Sequence, residues 1–173
     1  MKFELKEACE VLRQTPYTIE RMVGDLSEAW TASSGDEKDW GVYDIVGHLI
    51  HGEETDWIPR AEIILAQGDD RSFPPFDRTA QFGSSQSRTL ADLLTEFAHL
   101  RNASLEKLAG WELTVEHLKL KGVHPEFGEV SLGQLLSTWV VHDLNHIAQI
   151  AKKMAIKYEK EVGPWKAYLS ILQ

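Results

Sequence analysis

SLGQLLSTWVVHDLNHIAQIAKKMAIK, residues 131–157, decides how the chain is read. Leu132, Leu136, Trp139, Val140, Ile147, Ile150, Ala151 and Met154 recur at helical spacing, so one long amphipathic helix is expected. Ser131 and Gln134 stand three apart, the capping-box spacing that starts a helix. His142 and His146 stand four apart, about 40° from each other around the axis, on the flank of the apolar stripe. An i,i+4 pair can share one ion of zinc size at about 2.0–2.1 Å. The same pair also suits an ordinary core helix, and spacing alone leaves both readings open. HDLNH is not a zinc-protease signature, since Asp143 stands where that motif has Glu. A di-iron bundle is no better, because Glu96 and His99 lie on the wrong face for its Glu-x-x-His pairs.

Working outward, three more helical patterns precede this one. The first runs from about Glu4 to Asp25 and is interrupted by Pro16, which either kinks it or opens a second helix. Cys9 sits at the edge of its apolar face and reads as core filler. The second runs from about Val42 to Gln67, with Gly41 as N-cap. His48 flanks its stripe beside Ile45 and Leu49, Gly52 leaves room one turn on, and Pro59 suggests a bend. The third runs from about Leu90 to Leu108, with Leu90, Leu93, Phe97, Leu100, Ser104 and Leu108 as its stripe. Between the second and third lies GDDRSFPPFDRTAQFGSSQS (68–87), long enough for a lid or binding loop. Before the fourth lies WELTVEHLKLKGVHPEFGEV (111–130), expected to be an irregular crossover. WKAYLSIL near the end reads as a short closing helix. The whole is expected to be one all-α domain over residues 1–173, a four-helix bundle with long crossover connections.

The 173 residues are enough for one compact core, and 43% hydrophobic against 26% charged marks a globular chain. A net charge of −9 argues against nucleic acid and anionic membrane as partners. One cysteine rules out an intrachain disulfide framework and fits a cytoplasmic setting. The N-terminal stretch lacks the apolar run of a signal peptide, and no segment approaches the roughly 20 apolar residues of a membrane span.

Of the remaining polar groups, Asp143 and Asp56 fall in apolar stripes, where a carboxylate needs a partner. Asp143 is expected either to orient a ligand histidine or work as a base, or to anchor an interhelical hydrogen bond. His51 and Glu53 are further acid–base candidates. His99, His117 and His124 have weaker claims to the site.

VYDIVGHLIHGE (42–53), SFPPFDR (72–78) and HPEFGEVSLGQLLSTWVVHDLNHIAQI (124–150), with Thr15-Pro16 and the closing GPW, resemble the DinB-like, or YfiT-like, metalloprotein family. The resemblance spans nearly the whole chain. It implies an up-down-down-up four-helix bundle, often a homodimer, and one divalent ion (zinc, nickel or iron) held by His48, His142 and His146. Gly41 departs from the family's usual Ser or Thr at that cap. On this resemblance the chain is expected to be a metal-dependent enzyme activating a thiolate or water for attack on a small electrophile. Thiol S-transfer with a low-molecular-weight thiol ranks first and hydrolysis second. A non-catalytic metal- or small-ligand-binding stress protein is the reading from another class. Trp139 and the SFPPFDR loop are expected to wall the cleft.

Overall fold

The computed structural model describes residues 3–85 and 87–173. Its elements in order are helices α1 (Leu5–Val23), α2 (Glu28–Thr31), α3 (Val42–Thr55), α4 (Trp57–Ala66), α5 (Gln81–Ser84) and α6 (Leu90–Gly110), strands β1 (Lys121–His124) and β2 (Gly128–Ser131), and helix α7 (Leu132–Ile156). A short 3-10 turn, His117–Lys119, precedes β1, and the expected closing helix is two 3-10 turns, Gly163–Tyr168 and Ser170–Leu172. No described helix is long and apolar enough to cross a membrane.

The direction of each long helix follows from what it buries. One apolar cluster joins Ile19 and Val23 late in α1, Ile45 and Leu49 in α3, Leu93 and Phe97 early in α6, and Ile150 late in α7. A second joins Leu12 nearer the start of α1, Ile58 and Ile64 in α4, Leu105 and Leu108 late in α6, and Leu132 and Leu136 early in α7. So α1 and α7 run one way while α3–α4 and α6 run the other, an up-down-down-up bundle. Of the consecutive pairs only α3–α4 and α6 are parallel, and parallel neighbours cannot be joined by a tight turn, which explains the long connection over 68–87.

Three local departures shape the site. The second helix is two: the backbone breaks at Asp56 (φ −109°, ψ −73°) between α3 and α4. Pro59 follows three residues on, and its missing N–H leaves the Thr55 carbonyl without a helical donor. The 111–130 crossover is not wholly irregular, because β1 and β2 pair as an antiparallel hairpin, Lys121 opposite Ser131 and His124 opposite Gly128. Pro125 and Gly128 (φ +70°) make its turn, and the 68–87 loop is tied to it by a bridge between Ser72 and Val123. Pro16, finally, lies inside an unbroken α1. It deprives the Leu12 carbonyl of its helical donor, and the Arg101 guanidinium takes that place at 2.7 Å.

The caps expected at Ser131 and Gly41 form. Ser131 accepts from the Gln134 amide, and Thr89, which is not among the expected caps, accepts from the Asp92 amide. Gly41 caps α3, with the Asp44 carboxylate accepting its amide at 2.8 Å. A Cβ at residue 41 would stand 2.2 Å from the Ala32 carbonyl oxygen, so the close approach of residues 32–34 explains glycine here.

Candidate metal centre

Between the two apolar clusters lies a buried ionic layer. Arg101, fully buried on α6, donates to Asp143 of α7 at 2.5 and 3.0 Å, to Glu53 of α3 at 2.8 and 3.0 Å, and to the Leu12 carbonyl of α1. Phe97 and Trp139 flank the guanidinium, each with its ring centre 5.0 Å from Cζ. Trp139 Nε1 donates to Glu53 Oε1 at 3.1 Å. Burial works against the arginine's charge, but Glu53 and Asp143 beside it hold its pKa above the ordinary value. Burial raises Glu53, with Arg101 pulling it back down. One arginine thus links three other helices through groups that would be costly to bury alone.

Alongside this layer, α3 and α7 bring three imidazoles together. His142 Nε2 lies 3.1 Å from His48 Nε2 and 3.1 Å from His146 Nε2. Among the described residues this is the only group of three His, Cys, Asp or Glu side chains placed to hold one ion. Two nitrogens each about 2.0–2.1 Å from a common ion, at angles between square and tetrahedral, stand about 2.9–3.4 Å apart. The observed spacings fall in that range. His146 Nδ1 meets Gln149 Oε1 at 2.7 Å, so its proton sits on Nδ1 and the Nε2 lone pair faces the other two rings. Without a cation, three facing nitrogens share too few protons to satisfy one another. Burial first, and then the neighbouring imidazoles, push His48 down to about 2. Burial and His146 push His142 down to about 3. Burial lowers His146 as well. All three are therefore neutral imidazoles near pH 7, the ligand form.

Gln149 is expected to matter through orientation rather than contact with the ion. Gln149→Leu should weaken metal binding about 10–100-fold with little change in the metal-free melting temperature, checked by competition against a chromophoric chelator. Unchanged affinity would show that the hydrogen bond does not orient His146.

Aromatic rings wall the centre. The Trp40 ring stacks on His146 (6.3 Å, 13°), Trp57 presents an edge to His142 (5.0 Å), and Phe76 meets His48 edge-on (5.4 Å). The room beside Gly52 is filled by Trp57, whose Nε1 would lie 3.2 Å from a Cβ there. A cleft of about 480 Å³ opens over His48, His142 and His146 and runs between α4, α7, the 68–87 loop and the hairpin. Phe73, Pro75, Phe76 and Arg78 of SFPPFDR line it as expected, whereas Trp139 does not. Trp139 is wholly buried beneath, stacked on Trp57 at 5.8 Å.

The other sequence candidates fall elsewhere. Asp143 and Glu53 face Arg101 in the interior. His51 lies outside the cleft lining, with its ring 4.9 Å from Phe76 and Nε2 3.4 Å from Thr55 Oγ1. His99 is exposed, and His117 caps its own turn by accepting the Thr114 amide. His124 sits at the hairpin end of the cleft, stacked on Phe127 at 4.4 Å. Sequence reasoning missed Arg101, Trp40, Trp57 and Arg60. For Arg101 there was an indirect signal, since carboxylates in apolar stripes demand a buried cation.

A crossed-over four-helix bundle carrying three clustered imidazoles at an open cleft is the class of protein these features define. The profile of the DinB superfamily matches residues 12–150, and the chain belongs to that superfamily. Among solved structures it is similar to YfiT from Bacillus subtilis, described as "a probable metal-dependent hydrolase with an unusual four-helix bundle topology". That match has a TM-score of 0.72 at 21% identity and covers 91% of this chain and 87% of that one. No curated protein matches the chain significantly.

Proposed function

We propose that the chain is a metal-dependent enzyme in which His48, His142 and His146 hold one divalent ion, zinc, nickel or iron, and the cleft presents a small electrophile to it. The carrying observation is the meeting of three imidazoles at an open cleft, with His142 Nε2 3.1 Å from the Nε2 atoms of both His48 and His146. When bound, such an ion lowers the pKa of water or a thiol and polarises the group under attack. Three protein ligands leave positions for that chemistry, unlike a closed structural site.

The chain's own residues do the rest. Gln149 fixes the proton of His146, and Trp40, Trp57 and Phe76 exclude bulk water from the imidazoles. Asp143 and Glu53 are held by Arg101 and serve to place α7 and α3. Hydrolysis is the lead reading, supported by the description of YfiT. Thiol transfer uses the same centre with a different nucleophile, and nothing in the cleft lining selects for a thiol.

Zinc-, nickel- and iron-loaded protein should be screened against small esters, amides and lactones, and against electrophiles with and without glutathione or bacillithiol. Turnover that needs no thiol is expected, and its loss in His142→Ala would assign it to the centre. Stoichiometric metal without turnover of either kind would leave a metal-binding bundle in place of an enzyme.

A further inference from the structure

The end of the cleft away from the three histidines is built for a charge. Arg60, on α4, lines it and is only 5% exposed. Its guanidinium is fixed by Asp56 at 2.7 Å, by the Pro74 carbonyl at 3.3 Å and by the Phe73 ring at 5.2 Å, while its Nε is buried without a partner. Arg78, on the loop opposite, also lines the cleft, and no carboxylate pairs with it among the described residues. Burial and Arg60 lower His124, which lines this end of the cleft, with Arg78 contributing.

Two carboxylates line the same space. Asp56 is engaged by Arg60, and Glu126 is exposed on the hairpin turn. Burial raises Asp56 to about 6, against the pull of Arg60, so near pH 7 it is still largely a carboxylate paired with Arg60, and Arg78 is the cleft arginine without such a partner among the described residues. On a chain of net charge −9, a buried arginine and an exposed one line the same cleft. Val130 and Leu135 lie in the lining as apolar surface.

We infer that Arg60 and Arg78 form a subsite for a carboxylate, so that the cleft takes a small molecule with an electrophilic centre at the three-histidine end and a carboxylate at the other. This rests on the metal-dependent reading only for the first end. A guanidinium fork matches a carboxylate's geometry, and Arg78 is the fork that no carboxylate of the described residues occupies.

The test uses zinc-loaded protein and four hydroxamates in isothermal titration calorimetry. Acetohydroxamate carries the chelating group alone. The monohydroxamates of succinic and glutaric acid add a carboxylate, and 3-phosphonopropionohydroxamate adds a phosphonate. At least one of the two carboxylate probes should bind roughly tenfold or more tighter than acetohydroxamate, as a charge-assisted pair provides. Arg78→Gln, at an exposed loop position, should cut that advantage below about threefold while leaving acetohydroxamate within about twofold. Arg60→Lys should reduce it too, with its melting curve checked beside that of Arg78→Gln. Equal affinity of all probes in the wild type, or an advantage that survives Arg78→Gln, overturns the subsite. Tighter binding of the phosphonate overturns its assignment to carboxylates. If no hydroxamate binds, the metal reading fails, and glutarate is titrated into the metal-free protein with tryptophan fluorescence as readout. Saturation weakened by Arg78→Gln then still supports the subsite, and no saturation overturns it.

Discussion

Arg101→Met is expected to remove about 3–5 kcal/mol of stability, because it leaves Glu53 and Asp143 buried together with no counter-charge. Against a typical total of about 5–15 kcal/mol, that is enough to leave a large unfolded fraction. Urea denaturation followed by circular dichroism is the measurement. Arg101→Lys should recover only part of the loss, since one ammonium cannot span two carboxylates and the Leu12 carbonyl. The sign with pH is also fixed. Glu53 is raised above its ordinary 4.5 in the folded protein, and losing Arg101 removes the charge that pulls it down. A carboxyl so raised favours the fold fully below its unfolded pKa and loses that contribution as pH climbs through the folded one. The deficit of Arg101→Met should therefore be smallest below about pH 4.5 and grow toward neutrality. An unchanged denaturation midpoint at pH 7 would show that the layer is not what holds the four helices.

The second large effect is on metal. Wild-type protein loaded with zinc and desalted should carry close to one ion per chain by plasma mass spectrometry. The His142→Ala, His146→Ala double variant should carry less than about a tenth of that, because His48 alone is a poor site. Zinc at about 100 times its Kd should stabilise the wild type by about 2.7 kcal/mol and the double variant not at all. Equal metal content in the two proteins would return HDLNH to an ordinary piece of helix. Because the polar contacts of the three rings are with one another and with Gln149 on the same helix as His146, the loss should appear in metal content before it appears in fold.

Much of this architecture is legible in the chain because helices announce themselves locally. The stripe from Leu132 to Met154 and the Ser131–Gln134 cap both depend on residues within a few positions. The convergence of His48 with His142 is not local, and periodicity placed each only on the flank of its own stripe. The family resemblance supplied their meeting. Arg101 escaped for a related reason. In sequence it is one cation beside Leu100, which the stripe favours, yet the helix is rotated so that Arg101 is fully buried. What turns it inward is a pair of acids 48 and 42 positions away. The hairpin was obscured because KGVH and GEVS are too short for alternation to register, although Pro125 and Gly128 marked the turn. The break at Asp56 followed from Pro59 in kind, a bend, but not in place.

The ionic layer has one more consequence. It parts the apolar interior into two compartments that share few side chains, so each can breathe without the other. Amide exchange should then resolve two cooperative blocks, one around Ile45 and Phe97, the other around Ile64 and Leu108. Phe73, in the cleft lining, packs in the second block. A ligand could therefore be admitted by loosening that half alone, while the start of α3 and the far end of α7 keep their protons.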